Sequence, residues 1–191
     1  MNTWIGWFGL FAIGFSQQSP INVTLAAKTV TKADILARVY GDRERLKLCD
    51  GDIDRTVAEE SAVYPLAGDR YLVQFLCFMG AYQGNYEYYL YKATDSTFSI
   101  SPLSLEIIED TGSDRKTPVR SIGGLPEYDR EQQLLTVHTK YRGLGDCGTF
   151  ARYRWRDTRF QLIEYRIKEN CDGKYIDPDR YSRVYPGTAG R

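Results

Sequence analysis

From Val57 onward the chain alternates short apolar runs with turn-forming residues. AVYPL and RYLVQFLCF are joined by AGD, and YEYYLYKA is joined to FSISPLSLEI by TDST. GGLPEYD leads through REQ to QLLTVHTKY, and FARYRW leads through RDT to RFQLIEYRI. Runs of this length, rich in aromatic and β-branched side chains and bounded by Gly or Asp, predict strands joined as hairpins. Asp69, Asp95, Asp129 and Asp157 each fall at one of the turns. The interval between hairpins is loose, which points away from a propeller and toward an antiparallel hairpin meander, arranged as a sheet, barrel or sandwich. Residues 110–117 (DTGSDRKT) predict a long exposed loop. Ahead of the strands lies one helical start. Thr31 caps it, Asp34 answers as in a capping box, Ile35, Leu36 and Val39 form an apolar side, and Gly41 ends it. The fold class is therefore all-β with a short N-terminal helix.

The fourth hairpin tests itself. A three-residue loop of Asp157, Thr158 and Arg159 sets Arg156 against Phe160, Tyr153 against Ile163 and Ala151 against Tyr165. On the other face Arg152 then meets Glu164, a favourable cross-strand pair. The same register brings Cys147 and Cys171 to the open end of the hairpin, diagonal to each other. A bridge there needs a bulge near Gly145 or Gly148. Cys147–Cys171 is the preferred pairing, with Cys49–Cys77 by subtraction; the two other connectivities stay open.

Composition strengthens the β reading. The 15 tyrosines suit pleated, half-buried surfaces, where the ring packs and the hydroxyl reaches a partner. The 25 basic and 25 acidic residues cancel, so no global field draws the chain to nucleic acid or an anionic membrane. The first 16 residues, MNTWIGWFGLFAIGFS, are uncharged in their side chains and largely apolar, too short for a comfortable span. They predict a signal peptide with Gly14 and Ser16 near the cleavage point, although the usual basic start is lacking. Four cysteines without a C-x-x-C pair argue against a zinc site and for an oxidising compartment, periplasmic or extracellular. The expected organisation is a signal peptide over 1–16, a linker over 17–30, one disulfide-stapled β domain over 31–185 and a flexible tail over 186–191. No integral membrane span is expected after cleavage.

Two segments carry a resemblance. CFMGAYQGNY at 77–86 follows a strand, and KYRGLGDCG at 140–148 precedes the final hairpin. Together with the W-x-D-x-x-F turn of Trp155 to Phe160, they resemble the bacterial exported domain-of-unknown-function family DUF1176. In that family a C-x-x-G-A-Y-N run and an R-G-x-G-D-C-G run recur in this order. Here Gln83 stands where the family usually has Asn. The likeness covers roughly residues 60–175. It implies export and oxidised cysteines, and it brings no reaction.

Candidate chemistry is sparse. The loop at 142–148 allows Arg142 and Asp146 to clamp a ligand or, more commonly in a Gly-rich turn, to brace each other. With Tyr82, Asn85 and Tyr86 of the first motif they form the candidate binding set. Asp50, Asp52 and Asp54 resemble half a calcium loop, but Arg55 and Ser61 stand where such a loop needs Gly and Glu, so no metal is expected. Arg152, Arg154 and Arg156 share a strand face that suits anionic ligands or polysaccharide carboxylates, or simply solvent. Tyr82, Tyr86, Tyr88, Tyr89 and Tyr91 crowd one segment and must point to both faces of a strand; one set enters the core, and the other forms an exposed strip or, more commonly, packs simply as core and edge. His138 is the single histidine and reads as structural. Nothing supports nucleophilic catalysis or a cofactor. The leading expectation is a non-catalytic binding module for a protein or glycan of the cell envelope, an inhibitor being one concrete version, with no nucleic acid. The alternatives are a cell-envelope hydrolase using carboxylates such as Asp146 and Glu164, and a purely structural envelope protein.

Overall fold

A computed structural model describes residues 1, 30–94, 97–109 and 115–187. All but the first residue of the expected signal peptide, almost all of the linker, most of the tail, residues 95–96 and residues 110–114 lie outside the described residues. Helix α1 (Lys32–Gly41) starts as expected: the Thr31 hydroxyl accepts from the Asp34 N–H, and the Asp34 carboxylate accepts from the Thr31 N–H. A second short helix, α2 (Arg43–Leu46), and 3-10 turns at Leu48–Gly51 and Ala58–Glu60 complete the N-terminal layer.

The strands are β1 (Ala62–Pro65), β2 (Arg70–Met79), β3 (Gly84–Ala93), β4 (Phe98–Leu103), β5 (Leu105–Ile108), β6 (Lys116–Val119), β7 (Ser121–Asp129), β8 (Leu134–Lys140), β9 (Gly148–Arg156), β10 (Arg159–Lys168) and β11 (Ser182–Tyr185). All pairings are antiparallel. The large sheet runs β1-β2-β3-β7-β8-β9-β10-β11, and β3 changes partner along its length. Gly84 to Glu87 pair with β7, whereas Tyr88 to Ala93 pair with β4. FSISPLSLEI is thus not one strand: beyond Ser104 the chain leaves the sheet, and β5 pairs with β6 instead. The polar loop accordingly ends early, because Lys116 and Thr117 belong to β6.

Alternation along β3 builds two cores. Tyr88 and Leu90 join a cluster with Leu72, Leu135, Tyr153, Trp155 and Phe160, and the β5–β6 pair packs on it through Leu105 and Ile108. Tyr153 ties the two together by donating to the Glu106 carbonyl at 3.0 Å. Tyr89 and Tyr91 point the other way, to Val73, Phe75, Ile35, Val39 and Leu48. Of the two readings of the tyrosine run, packing holds on this strand and an exposed strip does not: Tyr88, Tyr89 and Tyr91 are all buried, because the helical layer covers the second face.

The fourth hairpin corrects the expected register near its turn. Asp157 and Thr158, both at positive φ, form a two-residue turn, so Arg156 faces Arg159 and Tyr153 faces Leu162 rather than Ile163. A two-residue loop of that handedness matches strand twist. A bulge at Ile163 then restores the expected pairs, Arg152 with Glu164 and Ala151 with Tyr165. The register break thus sits at Ile163 and not at Gly145 or Gly148. Both disulfides form as expected, Cys49–Cys77 and Cys147–Cys171. The ladder ends where Lys168 meets Gly148, and the chain folds back until the Cα atoms of Cys147 and Cys171 are 4.9 Å apart.

Candidate functional site

The two sequence motifs meet at one end of the sheet. The turn at 80–83 joins β2 to β3, and the loop at 141–147 joins β8 to β9. Gln83 clamps the second segment: its side-chain oxygen accepts from the Lys140 N–H at 2.9 Å and its amide donates to the Lys140 carbonyl at 3.3 Å. Tyr82 donates its hydroxyl to the Tyr141 carbonyl at 3.2 Å, with its ring over Gly143. A Cβ on Gly143 would stand 3.5 Å from that ring, an ordinary contact, so glycine is not demanded there. Gly148 differs, since a Cβ would lie 2.0 Å from the Thr139 carbonyl oxygen. Only glycine lets β9 approach β8 so closely.

Inside this loop Asp146 is fully buried and both of its carboxylate oxygens accept hydrogen bonds. Arg142 donates from Nε to one carboxylate oxygen at 2.7 Å and from a terminal nitrogen to the other at 2.6 Å. The Gly173 N–H adds 2.6 Å to the second oxygen. The Arg142 bonds come first, and with the Gly173 donor they hold this carboxyl well below its ordinary range. Arg142 also donates to the Cys171 carbonyl at 2.9 Å, beside the disulfide. Lys168 donates to the Asp146 carbonyl, the Asp172 carboxylate and the Lys174 carbonyl, so it ties the loop to the segment after β10. Tyr141, Leu144 and Tyr82 remain exposed above this brace, Leu144 at 65%.

The candidate residues divide accordingly. Arg142, Asp146 and Tyr82 lie in the meeting of the two motifs. Asn85 and Tyr86 sit on β3 and point to opposite faces of the sheet, with Tyr86 packed on the first core. The pattern of residue types did not mark Gln83 as a clamp, nor Tyr141, Leu144 and Lys168; their roles depend on partners far along the chain.

Elsewhere, Glu87 is buried beneath the helical layer. It accepts from the Cys49 N–H at 3.1 Å and from the Tyr89 hydroxyl, and Arg120 stands 3.5 Å away. Burial, then the Glu87 bond, pushes the Tyr89 hydroxyl far above its ordinary value. This network braces α2 and the 3-10 turn after it. In the DGDID segment Asp54 is taken by Thr56, whose N–H and hydroxyl donate to it at 2.9 and 2.7 Å. His138 packs edge-on against Tyr181, and burial, aided by Lys140, lowers its pKa. Among the described residues no helix is long and apolar enough to cross a membrane.

Residues 16–186 match the sequence model of a family described as "Protein of unknown function (DUF1176)". A segment of 58 residues, 30% of the chain, is 34% identical to "Uncharacterized protein YpfG" of Escherichia coli (strain K12). That match spans 16% of YpfG. No solved structure matches.

Proposed function

The chain belongs to the DUF1176 family of proteins of unknown function, and on that premise we propose that it is an exported, non-catalytic binding module that engages a protein partner through the joined 80–83 turn and 141–148 loop. One observation carries the reading. A filled Arg142–Asp146 pair and a disulfide hold the loop rigid, while Tyr82, Tyr141 and Leu144 stay exposed on it. Rigid aromatic and aliphatic side chains on a pre-organised loop are what a protein interface uses as anchors. Export agrees with the two disulfides.

The hydrolase alternative has less support. A general acid needs a carboxyl whose pKa is raised toward the working pH. Asp146 is held in the opposite direction, and Glu164 is shared among Arg152, Arg166 and Arg183.

Photo-crosslinking from position 144 in the intact exported protein tests the proposal. The expected result is one discrete protein adduct, lost when Tyr82→Ala is added and kept with Arg156→Gln. A diffuse ladder, or an adduct indifferent to Tyr82→Ala, would overturn it.

A further inference from the structure

The core takes Ala151, Tyr153 and Trp155 from β9, so Phe150, Arg152, Arg154 and Arg156 stand on the opposite face. On β10 the bulge at Ile163 decides what joins them. Without the extra residue, strict alternation after buried Leu162 would turn Glu164 inward. With it, Tyr165 enters the core, and Glu164 and Arg166 swing out beside the β9 arginines. Arg166 in turn faces Arg183 of β11, and Arg156 faces Arg159 across the turn.

The face is strongly basic on a chain whose formal charge is zero. Its three strands, GTFARYRWR, RFQLIEYRIK and SRVY, contain a single acidic residue, Glu164. Glu164 serves three guanidiniums at once: Arg152 at 2.9 Å, Arg166 at 2.6 Å and Arg183 at 3.7 Å. Among the described residues no carboxylate pairs with Arg154, Arg156 or Arg159. The buried Nε groups of Arg152 and Arg154 likewise lack an acceptor among the described residues. Glu127 and Asp129, the outward acids of β7, lie beyond Thr136 and Leu134 of β8 from Arg152 and Arg154 and mark the edge of the field.

We infer that this face binds an acidic polysaccharide, a polyuronate-type chain laid along β9. Outward arginines recur on β9 at every second residue, about 6.7 Å apart, so a polymer with carboxylates along its length meets a row of forked donors. Arg suits the task because its planar fork matches a carboxylate bidentately. Single-stranded nucleic acid fits less well, since it needs rings free for base stacking. The aromatic side chain within this row, Phe150, lies under the Arg152 guanidinium at 5.1 Å.

The test uses the full chain with oxidised disulfides and immobilised polygalacturonate, against neutral dextran. Retention on polygalacturonate that weakens with added salt, and no retention on dextran, is the expected result. Arg154→Gln with Arg156→Gln should weaken binding by roughly tenfold or more. Arg154 is half-buried, so Arg156→Gln with Arg159→Gln, both exposed, is a second variant expected to weaken binding while keeping the wild-type melting temperature. Leu144→Asp should bind polygalacturonate normally, which separates this face from the loop proposed to hold a protein. Equal retention on dextran, unchanged binding by both arginine variants, or tighter binding to a single-stranded oligonucleotide or phosphatidylglycerol vesicles would each overturn the inference.

Discussion

Asp146 shows how a residue with ligand-binding chemistry becomes a brace. A carboxylate beside an exposed arginine in a glycine-rich loop is an invitation to an anion or a substrate, but here both oxygens already accept. The sign of its pH effect follows. Its folded-state pKa lies below the ordinary 3.8, so its stabilisation is complete above that value and is lost as pH falls from there toward the folded value. Melting temperatures of the wild type should fall more steeply between about pH 5 and about pH 2.5 than those of Asp146→Asn, which starts lower. Asp172, also held low by Lys168, keeps its acid sensitivity in both proteins. Parallel curves would show that the pair contributes nothing. That Arg142 and Asp146 brace each other is the commoner reading of a glycine-rich turn and was legible from their types and spacing; the third donor, Gly173, was not, because it is 27 residues away from Asp146.

Elements divide by how local their signals are. Helix α1 was legible because Thr31 and Asp34 cap it within one turn. The long hairpins were legible from their alternation. Strands β6 and β11, each of 4 residues, were not, since so short a run has almost no periodicity to read. The bulge at Ile163 was missed for a related reason: the expected register already balanced charge and apolar residues on both faces, and the choice between a three-residue loop and a two-residue turn plus a bulge depends on local backbone twist. The disulfide at this hairpin's open end closes a loop with a sequence separation of 24 residues. Cys147→Ser should therefore cost about 3 kcal/mol by the chain-entropy account. Scanning calorimetry that finds an unchanged melting temperature would mean the bridge does not constrain this end.

At the scale of the molecule, the large sheet has two unequal faces. On the β2–β4 side the second face is covered by α1 and the segment after it, pinned by Cys49–Cys77 and by Glu87. On the β9–β11 side the corresponding face is basic, and Tyr181 packs at one end of it against His138 while its carbonyl accepts from Arg166. Protein purified from its native compartment should show no thiol reactive to alkylation under denaturing conditions, and its mass should correspond to cleavage near residue 16. Two or more alkylated cysteines would remove the argument for export.

The sequence by itself determined the β class, the helical start, the preferred cysteine pairing and the segments carrying the two motifs. The cysteine pairing rests on the register of one hairpin and on subtraction, and the others rest on periodicity, capping or residue type, signals that act within a few residues. Tertiary structure decided that the motifs meet, that Gln83 joins them across 57 residues, that β3 is buried on both faces, and that Asp146 is fully satisfied while Arg154 and Arg156 lack a carboxylate partner among the described residues. Those outcomes depend on which distant groups arrive within hydrogen-bonding reach, and an alternating pattern of apolar and polar residues does not specify that.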